Sequence, residues 1–97
     1  METYVILRRG GWRTEGELQE AAARSTAESE RMPDDVRWIR SYVLAEQDGS
    51  VGTVCIYQAP SPEAVREHAH RADLPVDEIV AVTDTVIVHP DPEPVTA

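Results

Sequence analysis

The 97-residue sequence has a single cysteine, few aromatic side chains, and no lysine or phenylalanine. Because Cys55 alone cannot form an internal disulfide, the fold must be held by its core, and the reducing cytoplasm is the expected location. No apolar run approaches the roughly 20 residues of a membrane span, and no segment has the pattern of a secretory signal. We therefore expect one cytoplasmic domain without membrane association.

Basic residues are also scarce, since nine arginines stand against 18 acidic residues and the formal net charge is −9. Nucleic acids and anionic membranes are bound by basic surfaces, so neither is an expected partner. The acidic surface can attract cations, although its main effect is to keep the chain in solution.

Strand and helix patterns alternate along the chain in the order β-α-β-β-α-β. A capping box begins at Thr14, Gly10 and Gly11 end the first strand, and Ser61 is the N-cap of the second helix. This order predicts an α+β, ferredoxin-like fold: a four-stranded antiparallel sheet with two helices on one face. The domain covers residues 1–88, and residues 89–97 form an extended tail rich in proline and acid. The predicted strands are residues 3–8, 36–45, 51–58 and 79–88, and the predicted helices are residues 14–30 and 62–72.

The predicted strands are apolar on both faces, which a sheet covered on one side does not require. In the second strand, alternation places Trp38, Tyr42 and Leu44 on one face and Ile39 and Val43 on the other. Two helices cover only one face of the sheet. We therefore predict a homodimer in which two sheets pack into an α/β barrel. The alternative is a monomer whose open face binds another protein.

Three short motifs follow one another between residues 41 and 69. They are Ser-Tyr-Val at residues 41–43, Cys-x-Tyr-x-Ala-Pro at residues 55–60 and Glu-His-Ala at residues 67–69. In this order they resemble the small actinobacterial nickel-binding proteins, a family formerly grouped as a domain of unknown function. The resemblance covers residues 36–90 well and the first strand loosely.

This resemblance implies a dimeric ferredoxin-like fold that binds nickel through mixed sulfur, nitrogen and oxygen ligands. By motif, the implied nickel ligands are Cys55 and His68. The sequence departs from the family pattern at Gln58, where the family has Glu, and at Asp73, where it has Gly. Position 58 therefore offers no carboxylate oxygen to the metal.

The residues themselves leave two interpretations for each candidate ligand. His68 shares an inward helix face with Val65 and Ala69, so it is either a metal ligand or a hydrogen-bonded core histidine. Cys55 is either a thiolate ligand or a small core side chain, and one site with His68 requires that it face the helices. His70 lies on the other side of the helix and is expected to be solvated.

Tyr42 and Tyr57 are candidate ligand-binding residues. Most simply they pack in the core or the dimer interface. They could instead line a pocket for a small organic molecule, as in the small cyclases and cofactor-free monooxygenases whose fold this one resembles, with a tyrosine hydroxyl as proton donor. Three functional hypotheses follow: a nickel-binding dimer, a small-molecule enzyme or binding protein, and a protein-docking module.

Overall fold

The computed structural model describes residues 1–94 and contains six elements in the predicted order. The sheet order is β2-β3-β1-β4, and all three strand pairs are antiparallel. This is the ferredoxin-like arrangement expected from the sequence. Residues 95–97 of the predicted tail lie outside the described part of the chain. The elements are β1 (Glu2–Trp12), α1 (Glu15–Arg31), β2 (Arg37–Ala45), β3 (Val51–Ala59), α2 (Pro62–Ala72) and β4 (Glu78–Ala81).

Both helices begin at the predicted caps. The Thr14 hydroxyl accepts a hydrogen bond from the Glu17 N–H at 3.2 Å, and the Glu17 carboxylate accepts one from the Arg13 N–H at 2.7 Å. The Ser61 hydroxyl accepts from the Ala64 N–H at 3.3 Å. Each cap satisfies an N–H group that has no partner inside the helix, which fixes where the helix starts.

The end of α2 is closed by a left-handed residue and by a side chain from α1. Asp73 has φ 55°, and the N–H groups of Asp73 and Leu74 donate back to carbonyls of the last turn, as in a Schellman motif. The Arg24 guanidinium of α1 donates to the Ala72 carbonyl at 2.9 Å. These contacts fasten the two helices to each other and turn the chain so that Leu74 follows the helix directly.

The first strand does not end at its glycine pair, which corrects the expectation from the sequence. β1 continues to Trp12 through a bulge, because its register against β3 shifts between Arg8 and Trp12. Gly10 adopts φ 55° in this bulge, and its N–H donates to the Glu46 carboxylate at 2.7 Å. The glycines therefore bend the strand instead of terminating it, and Trp12 lies buried at its end.

A second bulge, at Ile39 of β2, corrects the predicted division of that strand into faces. Trp38 pairs with Tyr57, but the next pair joins Arg40 to Ile56, so Ile39 is an extra residue. An extra residue reverses the alternation beyond it. Tyr42 consequently lies on the opposite face of the sheet from Trp38, not on the same face as predicted.

The last strand is shorter than predicted, spanning Glu78–Ala81 instead of reaching residue 88. It pairs with β1, and the Val82 N–H donates to the Thr3 carbonyl near the end of that strand. Beyond this point β1 offers no further pairing partner, so residues 83–88 form no strand in this chain. The chain then returns across the sheet, where the Asp91 carboxylate accepts hydrogen bonds from Arg40 at 2.6 Å and Tyr42 at 2.9 Å.

The two faces of the sheet differ sharply in burial. The face under the helices holds the core, which includes Tyr4, Ile6, Tyr57 and Val65, each at most 2% exposed. The other face carries half-buried or exposed apolar residues such as Val54. Across residues 1–94, neither helix is long and apolar enough to cross a lipid bilayer.

Candidate functional site

A cavity of about 290 Å³ lies between the sheet and α1. Its volume is near the lower end of the roughly 300–1,000 Å³ typical of small-molecule sites. The surface that the cavity exposes is apolar, although several residues with polar side chains, including one arginine, one glutamine and one cysteine, also border it. The lining residues are Arg8, Trp12, Leu18, Gln19, Ala21, Ala22, Ser25, Trp38, Ser41, Val43, Thr53, Cys55, Tyr57 and Leu74.

The guanidinium group belongs to Arg8, which points from β1 into the helix-covered side of the sheet. Arg8 is only 1% exposed, and none of its three side-chain nitrogens has a hydrogen-bond partner within residues 1–94. Arginine side chains stay charged in proteins, and a buried charge without a partner costs several kcal/mol. This unpaired cation is therefore the strongest departure from ordinary core chemistry in the described chain.

Tyr57 is the side chain that connects the polar groups of this region. Its hydroxyl lies 3.0 Å from the Ser25 hydroxyl, and the Cζ atom of Arg8 lies 5.9 Å from the centroid of its ring. The ring of His68 meets it edge-on with centroids 5.5 Å apart. Burial raises the pKa of Tyr57 above its usual value, against smaller lowering effects of Ser25 and Arg8. The phenol therefore stays protonated at neutral pH and is available as a hydrogen-bond donor.

His68 faces inward from α2, is 0% exposed, and has its Nε2 atom 3.0 Å from the Ser25 carbonyl oxygen. A carbonyl only accepts hydrogen bonds, so Nε2 carries the proton. Burial lowers the pKa of His68, and the charge of Arg8 lowers it further, against the raising effects of the Ser25 carbonyl and of Glu28. The neutral ring therefore has its lone pair on Nδ1, which is buried and has no partner in the described residues.

Cys55 also lies on the helix-covered side of the sheet, the orientation that a shared site with His68 requires. It is 5% exposed and lines the cavity, and its thiol lies 3.4 Å from the Thr53 hydroxyl. His68 does not line this cavity; it lies next to Tyr57. The structure thus places both predicted ligands on one side of the sheet without enclosing them in one cavity.

The two candidate tyrosines are separated by the sheet. Tyr57 lines the cavity, whereas Tyr42 is 45% exposed on the other face, where its hydroxyl donates to Asp91. The bulge at Ile39 is the cause of this separation. His70 is exposed, as predicted from its position on the helix. Among the described residues, Tyr42 and Tyr57 therefore line no common pocket.

His68 and Cys55, on the helix-covered side of the sheet, are residue types that bind nickel, but they are too few to complete a nickel site. Imidazole nitrogen and thiolate sulfur both bind late first-row metals, and His68 offers an unpartnered nitrogen. Within residues 1–94, however, no group of three or more His, Cys, Asp or Glu side chains is placed to hold a metal ion. A metal bound at these residues would need further ligands.

Arg8 is not among the candidate residues predicted from the sequence. The signal was the alternation of β1: Tyr4 and Ile6 are core residues, and Arg8 continues the same face. A charged residue at an inward position of a strand is uncommon unless it has a partner. That alternation could have placed Arg8 in the core before its surroundings were known.

The fold and the site define a small ferredoxin-like protein with a cavity between its sheet and its first helix. The chain belongs to the family of nickel responsive proteins similar to SCO4226, whose family model matches residues 4–82. This confirms the family resemblance seen in the motifs.

Two solved structures are similar to this chain. The crystal structure of SCO4226 from Streptomyces coelicolor A3(2) has 23% identity and a TM-score of 0.65, covering 87% of this chain and 99% of that one. It confirms the fold. The structure of Rv0793 from Mycobacterium tuberculosis has 14% identity and a TM-score of 0.41, covering 92% of this chain and 100% of that one. The chain matches no curated protein sequence.

Proposed function

We propose that this protein is a small homodimeric nickel-binding protein in which His68 is the principal protein ligand. The observation that carries the proposal is the buried Nδ1 atom of His68, which has no hydrogen-bond partner among residues 1–94. The opposite ring nitrogen is held by the Ser25 carbonyl at 3.0 Å. A histidine anchored in this way through one nitrogen presents the other to a metal in a fixed orientation.

Cys55 is the proposed second ligand, because its thiol lies on the same side of the sheet and thiolate sulfur is a good donor to nickel. Nickel sites in proteins take about four or more donors, so the remaining ones come from small molecules, water or other groups. A reduced Cys55 is needed for this role, which agrees with the predicted cytoplasmic location.

Dimerisation through the open face of the sheet is part of the proposal. Tyr42 and Val80 on this face are 45% and 43% exposed, and Val54 is half-buried. An apolar face of this kind is usually covered in the functional state. A second copy presents the same surface, and a two-fold axis brings the two faces together. The covering copy would lie on the side of the sheet opposite to the cavity.

The nickel proposal is tested by native mass spectrometry of the untagged protein titrated with nickel, copper and zinc. We expect the wild type to retain nickel even at substoichiometric metal and to saturate at about one ion per chain, and we expect His68→Gln to lose this binding. His70→Gln is the matched control, because it removes an exposed imidazole from the same helix. Equal nickel retention by His68→Gln and the wild type would overturn the assignment.

Two measurements on folded protein guard against loss of structure in the His68 variant. Paramagnetic nickel should broaden the ring resonances of His68 in the wild type before those of His70 and His89, which are exposed. The near-isosteric Cys55→Ser variant should lose any sulfur-to-nickel charge-transfer absorption while keeping its thermal unfolding midpoint. Broadening of the exposed histidines alone would indicate surface binding and would contradict the proposal.

A further inference from the structure

We propose that the cavity beneath α1 binds a small organic anion, a carboxylate on a flat apolar body, through the guanidinium group of Arg8. The proposed site differs from the nickel proposal in its anchoring residue, Arg8, although Cys55, the proposed second nickel ligand, also lines this cavity.

The charge of Arg8 needs an anionic partner. The side chain is 1% exposed, and its three nitrogens have no hydrogen-bond partner in residues 1–94. In the same part of the chain, the ion pairs formed by other arginines lie at the surface, as between Arg9 and Glu46. The ring of Tyr57 contacts the cation but cannot accept five N–H groups. A buried guanidinium with this many free donors is well suited to a carboxylate.

Within residues 1–94, no carboxylate of the protein pairs with Arg8. Asp91 of the returning segment is hydrogen-bonded to Arg40 and Tyr42 on the open face of the sheet. A second copy covering that face would meet the same surface and not the cavity. Asp91 and the proposed second copy thus lie across the sheet from the cavity, and the anion that we propose for Arg8 is a free small molecule.

The lining restricts the rest of that molecule. The indole side chains of Trp12 and Trp38, together with Leu18 and Leu74, provide apolar walls. Ser25 and Thr53, both buried, also border the cavity. A volume of about 290 Å³ accommodates a single ring bearing a carboxylate, but not a nucleotide or a peptide. Aromatic monocarboxylates the size of benzoate are therefore the ligand class that fits.

The test uses the metal-free wild-type protein with benzoate, and benzamide as a neutral ligand of the same shape. Binding is read from thermal protection and from tryptophan fluorescence, excited where benzoate does not absorb. Both tryptophans of the chain line the cavity, so the fluorescence reports directly on this site. We expect saturable binding of benzoate and no effect of benzamide or of sulfate at matched ionic strength.

Arg8→Met is the decisive variant, because methionine fills similar space without charge. We expect benzoate affinity to fall at least about tenfold, while the unfolding midpoint of the ligand-free protein stays the same or rises because the unpaired charge is gone. Arg8→Lys should keep part of the affinity, since it retains the charge without the planar fork. The proposal is wrong if the wild type shows no saturable fluorescence change with benzoate, or if benzamide or sulfate binds equally well. It is also wrong if folded Arg8→Met binds benzoate as tightly as the wild type does.

Discussion

At the scale of single residues, two buried side chains that carry nitrogens without hydrogen-bond partners contact one aromatic ring. Arg8 lies above the ring of Tyr57 and His68 meets its edge, and both carry unpartnered nitrogens within the described chain. Natural cores usually satisfy such atoms, because leaving them unpaired costs stability. Sites where this rule is broken are expected to be functional. The ring of Tyr57 therefore marks the part of the molecule where ligands should act.

The pH dependence of stability should report on His68. Its pKa in the folded chain is lowered by burial, whereas in the unfolded chain it is near the ordinary value of about 6.5. As the pH falls, the unfolded state therefore takes up a proton before the folded state does. The free energy of unfolding should decrease below about pH 6.5 by up to about 1.4 kcal/mol per pH unit. This decrease ends when the pH reaches the pKa of His68 in the folded chain. Urea unfolding of the wild type between about pH 7.5 and pH 5.5 measures this slope.

His68→Gln should flatten that slope, since glutamine does not titrate, and His70→Gln should leave it unchanged. Each variant is compared with the wild type at every pH, so the titration of acidic groups cancels to first order. A wild-type slope that survives unchanged in His68→Gln would show that this ring is not the titrating group.

At the scale of elements, the sequence predicted which helices and strands exist better than it predicted which way their side chains point. The caps at Thr14 and Ser61 act through local hydrogen bonds, so they can be recognised from neighbouring residues alone. The bulges in β1 and β2 depend on pairing with β3, which lies far along the chain. Because Ile39 is an extra residue in β2, Tyr42 lies on the other face of the sheet, and no pattern in the neighbouring sequence predicts this bulge.

The candidate site followed the same division. The inward orientation of His68 was predictable because helical spacing places it with Val65 and Ala69, and all three are buried. The orientation of Cys55 had to come from the structure, because β3 is apolar on both faces and either face was possible. The position of the cavity also depends on where α1 lies across the sheet, which is set by packing and not by the helix sequence alone.

Gly52 of β3 should be essential to the position of Arg8. A Cβ atom at Gly52 would lie 2.7 Å from the Arg8 carbonyl oxygen, closer than van der Waals contact allows. We expect Gly52→Ala to push β1 away, to destabilise the fold by about 1–3 kcal/mol and to weaken benzoate binding. Gly16→Ala is the matched control, because its Cβ meets nothing closer than 3.7 Å and alanine favours the helix by about 0.5–1 kcal/mol.

Chemical denaturation of the two glycine variants measures this difference directly. The variants should change stability in opposite directions, and only Gly52→Ala should alter benzoate affinity. A Gly52→Ala protein with wild-type stability would mean that β1 and β3 do not approach each other as closely as the structure places them.

At the scale of the whole molecule, the sheet separates two surfaces with different chemistry. The side under the helices holds the cavity, Arg8, His68 and Cys55, while the other side exposes apolar residues and is crossed by the segment that carries Asp91. This separation lets a second copy cover the open face without closing the cavity. Ligand binding and dimerisation should therefore be independent to a first approximation.

Val54→Arg should convert the proposed dimer into a monomer. Val54 lies on the open face of β3 between Tyr42 of β2 and Leu7 of β1, so its side chain would be central to a sheet-to-sheet interface. Two arginines related by a two-fold axis would place like charges in a desolvated contact, which costs several kcal/mol. Analytical ultracentrifugation should give a dimer for the wild type and a monomer for Val54→Arg. The control variant Ala27→Arg adds the same charge to an exposed position of α1 and should stay dimeric. The Val54→Arg monomer should still bind benzoate, because the cavity lies on the opposite side of the sheet. A monomeric wild type, or a Val54→Arg protein that stays dimeric, would show that this face is not the dimer interface.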